Sequence, residues 1–180
     1  MGNFPRRAIS LELRVGSPPA RQAIGNQSDR MMSEGKLVWI YAPGVCDLFH
    51  PGHVEFFRQA RLLGDRVIAG IVSEATAADY KPAPIMTMAE RIAVVSACRY
   101  VDRVLPDAPR QVTVDFLDSI GADYAVHGDD ITPEELERSF PGLVAAGRMK
   151  FVPYTRTISS RQLIERIANR LREGTLRVKL

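Results

Sequence analysis

The sequence predicts an α/β fold, a doubly wound and mostly parallel five-stranded sheet with helices on both faces, Rossmann-like in layout. Two observations predict it. From Lys36 onward, short β-rich apolar runs alternate with amphipathic helical stretches, which is the signature of successive βα units. The chain is also the right size for one such domain, since 180 residues at 46% hydrophobic and 25% charged can bury a sizeable core.

The elements follow in order. Residues 1–35 scatter Pro, Gly, Ser and Gln without sustained periodicity and read as a flexible N-terminal tail, with an arm that docks on a partner subunit as the alternative. Met31 and Met32, just ahead of the first strand, are also possible natural start positions. Residues 36–180 then form a single domain. KLVWIYA (36–42) is a strand of the kind buried in a parallel sheet, and HPGHVEFFRQARLLGD (50–65) is a helix placing Val54, Phe57, Arg61 and Leu62 on neighbouring turns. RVIAGIVS (66–73) is the next strand, and MTMAERIAVVSACRY (86–100) is a helix whose Ile92, Val95, Ala97 and Cys98 face inward. VDRVLP (101–106), ADYAVHG (122–128) and MKFVPYT (149–155) supply three more strands, with helices near 111–120, 133–140 and 159–172.

Charge and cysteine content exclude several functions. The formal net charge is +3, of which the first 35 residues carry +2, so the body is nearly neutral. It shows no basic stripe interleaved with aromatics, which argues against nucleic-acid binding. No run approaches 18 apolar residues and the N-terminus lacks the apolar centre of a signal peptide, so a cytoplasmic protein that does not engage a membrane is expected. Cys46 and Cys98 form no CxxC pair and read as reduced thiols.

Chemistry concentrates in GVCDLFHPGH (44–53). In doubly wound sheets ligands bind at the carboxyl ends of the strands, where helix N-termini also point. GVCDLF leaves the first strand, and Pro51 suits the first helical turn because its missing N–H is not needed there. His50 and His53 therefore flank a helix N-terminus, beside backbone N–H groups that attract anions, and Gly52 would let a phosphate approach the main chain. The pattern is that of a phosphate site. A metal reading of Cys46, His50 and His53 is also available from the spacing, but no fourth ligand is apparent to close a structural zinc site.

GVCDLFHPGHVEFFRQARLLGD resembles the HxGH signature of the nucleotidyltransferase superfamily, in its cytidylyltransferase branch. Further stretches, YKPAPIMTMAERIAVVSACRYVDRVLPDAP (80–109), ADYAVHGDDI (122–131) and RTISSRQLIERI (156–167), are similar to the ethanolamine-phosphate cytidylyltransferases. The resemblance runs from about Lys36 to Ile167. It implies transfer of CMP from CTP to a small phosphate or phosphonate acceptor such as phosphoethanolamine, with release of pyrophosphate. It also implies residue roles. His50 and His53 would stabilise the charge that builds on the triphosphate, and Lys81 would grip phosphate. Gly44, Val45, Cys46, Asp47 and Gly52 would line the nucleotide with Arg91, which otherwise would make a surface ion pair with Glu90 or Asp102. His127, Gly128, Asp129 and Asp130 would contact ribose, base or metal. Arg156, Thr157, Ile158, Ser159 and Ser160 would bind the β- and γ-phosphates, with Ser159 or Ser160 capping the last helix. Mg²⁺ is the expected cofactor, held through the phosphates with no confident protein ligand, and a homodimer is the expected assembly.

Two departures stand out. The family commonly has an aromatic where Cys46 stands, and commonly has RTxGIST, which makes RTISS two residues shorter. Glycerol 3-phosphate or a phosphonate of specialised metabolism remains an alternative acceptor. An adenylyltransferase and a non-catalytic nucleotide-binding module remain alternative functions.

Overall fold

A computed structural model describes residues 36–78 and 82–177; the expectations for the tail and for Lys81 lie outside the described residues. Along the chain run β1 (Trp39–Gly44), α1 (Pro51–Leu62), β2 (Arg66–Val72), α2 (Glu74–Ala78), α3 (Met88–Ser96), β3 (Arg103–Ala108), α4 (Val114–Ile120), β4 (Tyr124–Gly128), α5 (Pro133–Ser139), β5 (Met149–Val152) and α6 (Ser160–Arg172). The five strands form one sheet in the order β3-β2-β1-β4-β5, and every pairing is parallel.

Strand alternation divides the core into two layers. Ile40 and Ala42 of β1 pack with Phe57 and Ala60 of α1 and with Val95 and Cys98 beside α3. Tyr41 of the same strand points the other way, with Ile68, Leu117 of α4 and Phe140 after α5. The first two crossovers therefore cover one face and the next two cover the other. Between β1 and β4 the winding reverses, and a crevice opens at their carboxyl ends.

The amino edge of the sheet is pinned by three aspartates that the sequence places just before strands. Asp65 accepts from Val38 N–H at 2.9 Å, Asp102 from Val67 N–H at 2.9 Å, and Asp123 from Trp39 N–H at 2.8 Å. Asp102 also pairs with Arg61 and Arg66. The carboxyl edge is thereby left to the loops.

Several expectations need correction. Leu62 is 72% exposed; Phe57 and Ala60 carry the inner face of α1. Ala97 is exposed, and α3 buries Arg91 and Val95. The short helix α2 was not expected at all. Thr113, Thr132 and Ser159 cap α4, α5 and α6 through their side chains, and Thr87 shares a reciprocal cap with Glu90 at α3. The caps start α3 and α4 at Met88 and Val114, later than the hydrophobic pattern suggests, while α5 starts at Pro133 as expected. Tight packing also explains Gly70, where an added Cβ would overlap the buried Tyr41 hydroxyl.

Candidate active site

Between β1 and α1 the chain turns from buried strand to helix through two non-glycine residues with left-handed backbone, Cys46 at φ 56° and Leu48 at φ 47°. Such conformations are unfavourable by about 1 kcal/mol or more each and persist only where neighbours hold them. Here the neighbours are identifiable. Cys46 is buried in the α1 layer of the core. The Asp47 carboxylate accepts from the N–H groups of Ile85 (3.0 Å) and Met86 (2.8 Å), and Leu48 N–H lies 3.2 Å from the Met86 sulfur.

Arg91 completes this clamp from beneath. Its side chain is fully buried and donates to the carbonyls of Val45 (2.9 Å), Val72 (2.6 Å) and Met86 (3.2 Å), and to Glu74 at 2.8 Å. The expectation that it reaches the nucleotide, or pairs with Glu90 or Asp102, is therefore corrected. Arg91 joins β2, α2, α3 and the histidine loop from the inside. Glu90 is engaged in the α3 cap, and Asp102 is held at the opposite edge of the sheet. Asp47 is likewise turned away from the crevice.

The histidines are fixed by the backbone they cap. His50 Nδ1 accepts from Gly52 N–H at 3.1 Å, and His53 Nδ1 accepts from His50 N–H at 3.3 Å. A ring nitrogen that accepts carries no proton, so in each neutral imidazole the proton sits on Nε2. The two rings stack at 3.9 Å between centroids, and His53 also stacks on Phe49. Burial pushes the His50 pKa below 6.5, which keeps the ring neutral near pH 7. The arrangement gives two oriented Nε2–H donors at the start of α1, of which His50 is uncharged near pH 7. Zinc ligation by Cys46, His50 and His53 does not match it, because Cys46 sits in the core and the described residues hold no group of three metal-ligating side chains.

A second helix N-terminus meets the first. A Cβ on Gly52 would stand 3.0 Å from the Ile158 carbonyl oxygen and 2.9 Å from His50 Cε1. The missing side chain thus makes room for the RTISS turn and the histidine ring rather than for a phosphate directly over Gly52. Ser159 caps α6 by accepting from Gln162 N–H at 3.3 Å, which leaves its O–H able to donate. Ser160 donates instead to the Asp47 carbonyl at 2.7 Å and ties α6 to the histidine loop. Arg156 and Thr157 are exposed at the rim.

At the end of β4, His127 Nδ1 lies 3.0 Å from the Gly128 carbonyl, which fixes the proton on Nδ1, and its ring meets Phe140 edge-on. Asp129 accepts from Tyr154 N–H at 2.9 Å and so braces the turn after β5. Asp130 is exposed. The structure thus gathers Gly44, Val45, His50, Gly52 and His53 with Ile158, Ser159 and Ser160 on one side of the switch point, and places His127–Asp130 on the other. Sequence reasoning missed Arg110, Glu135 and Ser139, which line a cleft with Gly44, Val45 and His127. Their spacing within short helices and loops carries no motif.

Comparison with known proteins agrees with this geometry. Residues 41–166 match the model of the cytidylyltransferase-like family. The chain is 35% identical over 133 residues to the ethanolamine-phosphate cytidylyltransferase of Dictyostelium discoideum, an alignment covering 73% of this chain and 37% of that one. Against the enzyme of the same name from Arabidopsis thaliana, identity is 34% over 153 residues, 82% of this chain and 36% of the relative. The choline-phosphate cytidylyltransferase 2 of Arabidopsis thaliana is 29% identical over 81% of this chain and 49% of its own length. The chain therefore spans little more than a third of the ethanolamine-phosphate relatives it matches. Among solved structures, the lipopolysaccharide core biosynthesis protein of Thermoplasma volcanium superposes with a TM-score of 0.55 at 22% identity, over 68% of this chain and all of that one, and shares the fold. With the family match spanning most of the sheet and both halves of the crevice, the chain belongs to the cytidylyltransferase-like family.

Proposed function

We propose that this chain transfers CMP from CTP to a small phosphomonoester or phosphonate, of the size of phosphoethanolamine, and releases pyrophosphate. The observation that carries this reading is the pair of backbone-fixed histidines at the start of α1, His50 and His53, with the Ile158 carbonyl of the turn that opens α6 close against Gly52. An acceptor oxygen attacks the α-phosphorus of CTP while the bond to the β-phosphate oxygen breaks. One P–O bond forms, one breaks, and the electron pair leaves with pyrophosphate. Side chains need only position the reactants and stabilise charge that is larger in the transition state than before it. His50 and His53 donate to the reacting phosphates, Ser159 and the α6 N–H groups hold the leaving pyrophosphate, and Arg156 adds a permanent positive charge at the rim. Lys81 is assigned to the same phosphates. Across the switch point, Gly128 and Asp130 receive ribose and base.

Mg²⁺ belongs with the substrate in this scheme. Among the described residues no three metal-ligating side chains are grouped, so the ion would be carried by the triphosphate and would supply charge neutralisation there. We further propose a cytoplasmic homodimer. Cys46 and Cys98, neither of them in a disulfide, support a reducing compartment, and α6, which buries no residue and exposes Ile164, Ile167 and Leu171, supports a second copy covering that face. Among the described residues no helix is long and apolar enough to cross a membrane.

Steady-state pyrophosphate release with each nucleoside triphosphate tests the reading. CTP should exceed ATP in kcat/KM by at least a hundredfold, EDTA should abolish turnover, and His50→Ala or His53→Ala should each lower kcat by on the order of a hundredfold or more. Comparable kcat/KM for ATP and CTP would overturn the cytidylyl assignment.

A further inference from the structure

On the α4–α5 side of the strand ends lies a shallow, open cleft of about 90 Å³. Gly44 and Val45, which lead into the histidine loop, form its inner rim together with His127. Its outer wall carries Arg110, Glu135 and Ser139 among apolar neighbours. A molecule in this cleft shares strand ends with the phosphate site and has its other end at that wall.

The wall is an ordered hydrogen-bonded unit. Ser139, one turn after Glu135 on α5, donates to Glu135 Oε1 at 2.7 Å, and Arg110 Nη2 donates to the same oxygen at 2.8 Å. Arg110 Nη1 also donates to the Ser139 hydroxyl. Hydrogen bonds from Ser139 and Arg110 hold the Glu135 carboxyl below its usual range, so it is ionised at neutral pH. Its second oxygen, Oε2, meets Arg138 only at a long 3.5 Å, and a carboxylate has about four acceptor sites. Glu135 is the one acidic side chain of the cleft wall, and it retains acceptor capacity.

Charge and ring content decide what it accepts. Arg110 and Arg138 flank Glu135, so the wall is not net negative and has no particular attraction for a cation as such. A trimethylammonium group has no N–H to donate and is normally held by several aromatic faces, whereas this cleft offers Phe140 and the His127 ring alone. A hydroxyl or primary ammonium can donate to the carboxylate directly.

We propose that this cleft seats the acceptor's head group and that Glu135 determines specificity, accepting a hydrogen bond from a hydroxyl or primary ammonium a short chain away from the phosphate or phosphonate. The inference rests on the cytidylyl-transfer reading and narrows its acceptor to molecules ending in a hydrogen-bond donor. The experiment measures CMP transfer to phosphoethanolamine, 2-hydroxyethyl phosphate, ethyl phosphate and phosphocholine, alongside calorimetric binding of the same four compounds without CTP. The wild type should prefer each of the first two over each of the last two by at least tenfold in kcat/KM, since a partly exposed site discriminates less than a sealed one. In Glu135→Gln the amide oxygen keeps Arg110 and Ser139 while its NH₂ turns to the cleft. The preference for phosphoethanolamine, whose ammonium cannot accept from the amide, should then fall to within about twofold, with KM for CTP unchanged; Glu135→Ala should remove the preference for both donors. A wild type that uses ethyl phosphate or phosphocholine as well as phosphoethanolamine, or a Glu135→Gln enzyme that keeps the wild-type preference for phosphoethanolamine, overturns the inference. Absence of CMP transfer to any acceptor, with the same Glu135-dependent preference in binding, instead overturns the activity and leaves the head-group site standing.

Discussion

The backbone decides the chemistry of His50 and His53 before any substrate arrives. Because each Nδ1 accepts a main-chain N–H, only Nε2 can donate, and protonating His50 would set an Nδ1–H against the Gly52 N–H inside a buried helix start. The pH dependence follows from that. The folded pKa of His50 lies below its unfolded value of 6.5, so native and unfolded states are both neutral above that pH and the site is intact there. As pH falls below 6.5, the unfolded state binds the proton first, and stability declines toward the folded pKa. In the substrate-free protein, an NMR titration should place the His50 midpoint below 6.5; a midpoint at or above it would remove burial as the controlling influence. At this scale the sequence was only partly legible. HxGH announced its histidines, but nothing in the one-dimensional pattern distinguished Asp130, left exposed at the crevice, from Asp47 and Asp129, whose carboxylates brace backbone N–H groups from 25 to 39 residues away. Arg91 was misplaced for the same reason. Its partners Val45, Val72, Glu74 and Met86 come from three separated stretches, and no helical periodicity encodes them.

Two helix starts act as one element, and Gly52 is the joint between them. An added methyl would press on the His50 ring and on the Ile158 carbonyl, and the latter belongs to a turn that Ser160 has already tied to Asp47. Gly52→Ala should therefore push α6 and the histidine loop apart. The strain of such overpacking is about 1–3 kcal/mol, small enough for the domain to remain folded. We expect kcat/KM for CTP to fall at least tenfold while the melting temperature drops by a few degrees, measured by steady-state kinetics and calorimetry on the same preparation. Unaltered kinetics would mean that the two starts are not mechanically joined. The compact RTISS turn brings the Ile158 carbonyl directly against Gly52 of α1. Helices with strong caps and long apolar faces were readable from the sequence. The five-residue α2 was not, whereas α5, which bears the wall that reads the acceptor, was anticipated to within one residue.

Across the whole molecule, alternation of strand and helix was enough to anticipate the winding, because a parallel sheet buried on both faces needs continuous apolar strands and a helix between each pair. Which residues converge at the switch point depended on strand order, and β3-β2-β1-β4-β5 is a property of the assembled sheet rather than of any segment. The exposed apolar side of α6 leads to a prediction at this scale. Light scattering should give about twice the 20.0 kDa chain mass, and Ile167→Glu should halve it; a monomer in the wild type would withdraw the second copy from the scheme. The margins of the sheet carry a further consequence. At one margin β3 contains Pro106, which has no N–H to offer, followed by Asp107 at φ 52°, and its register against β2 slips between Gly70 and Val72. At the other margin β5 is only four residues long. Neither border is a straight ladder onto which a stray strand could add, so the sheet limits its own growth. Backbone geometry thus disfavours edge-to-edge pairing independently of surface charge.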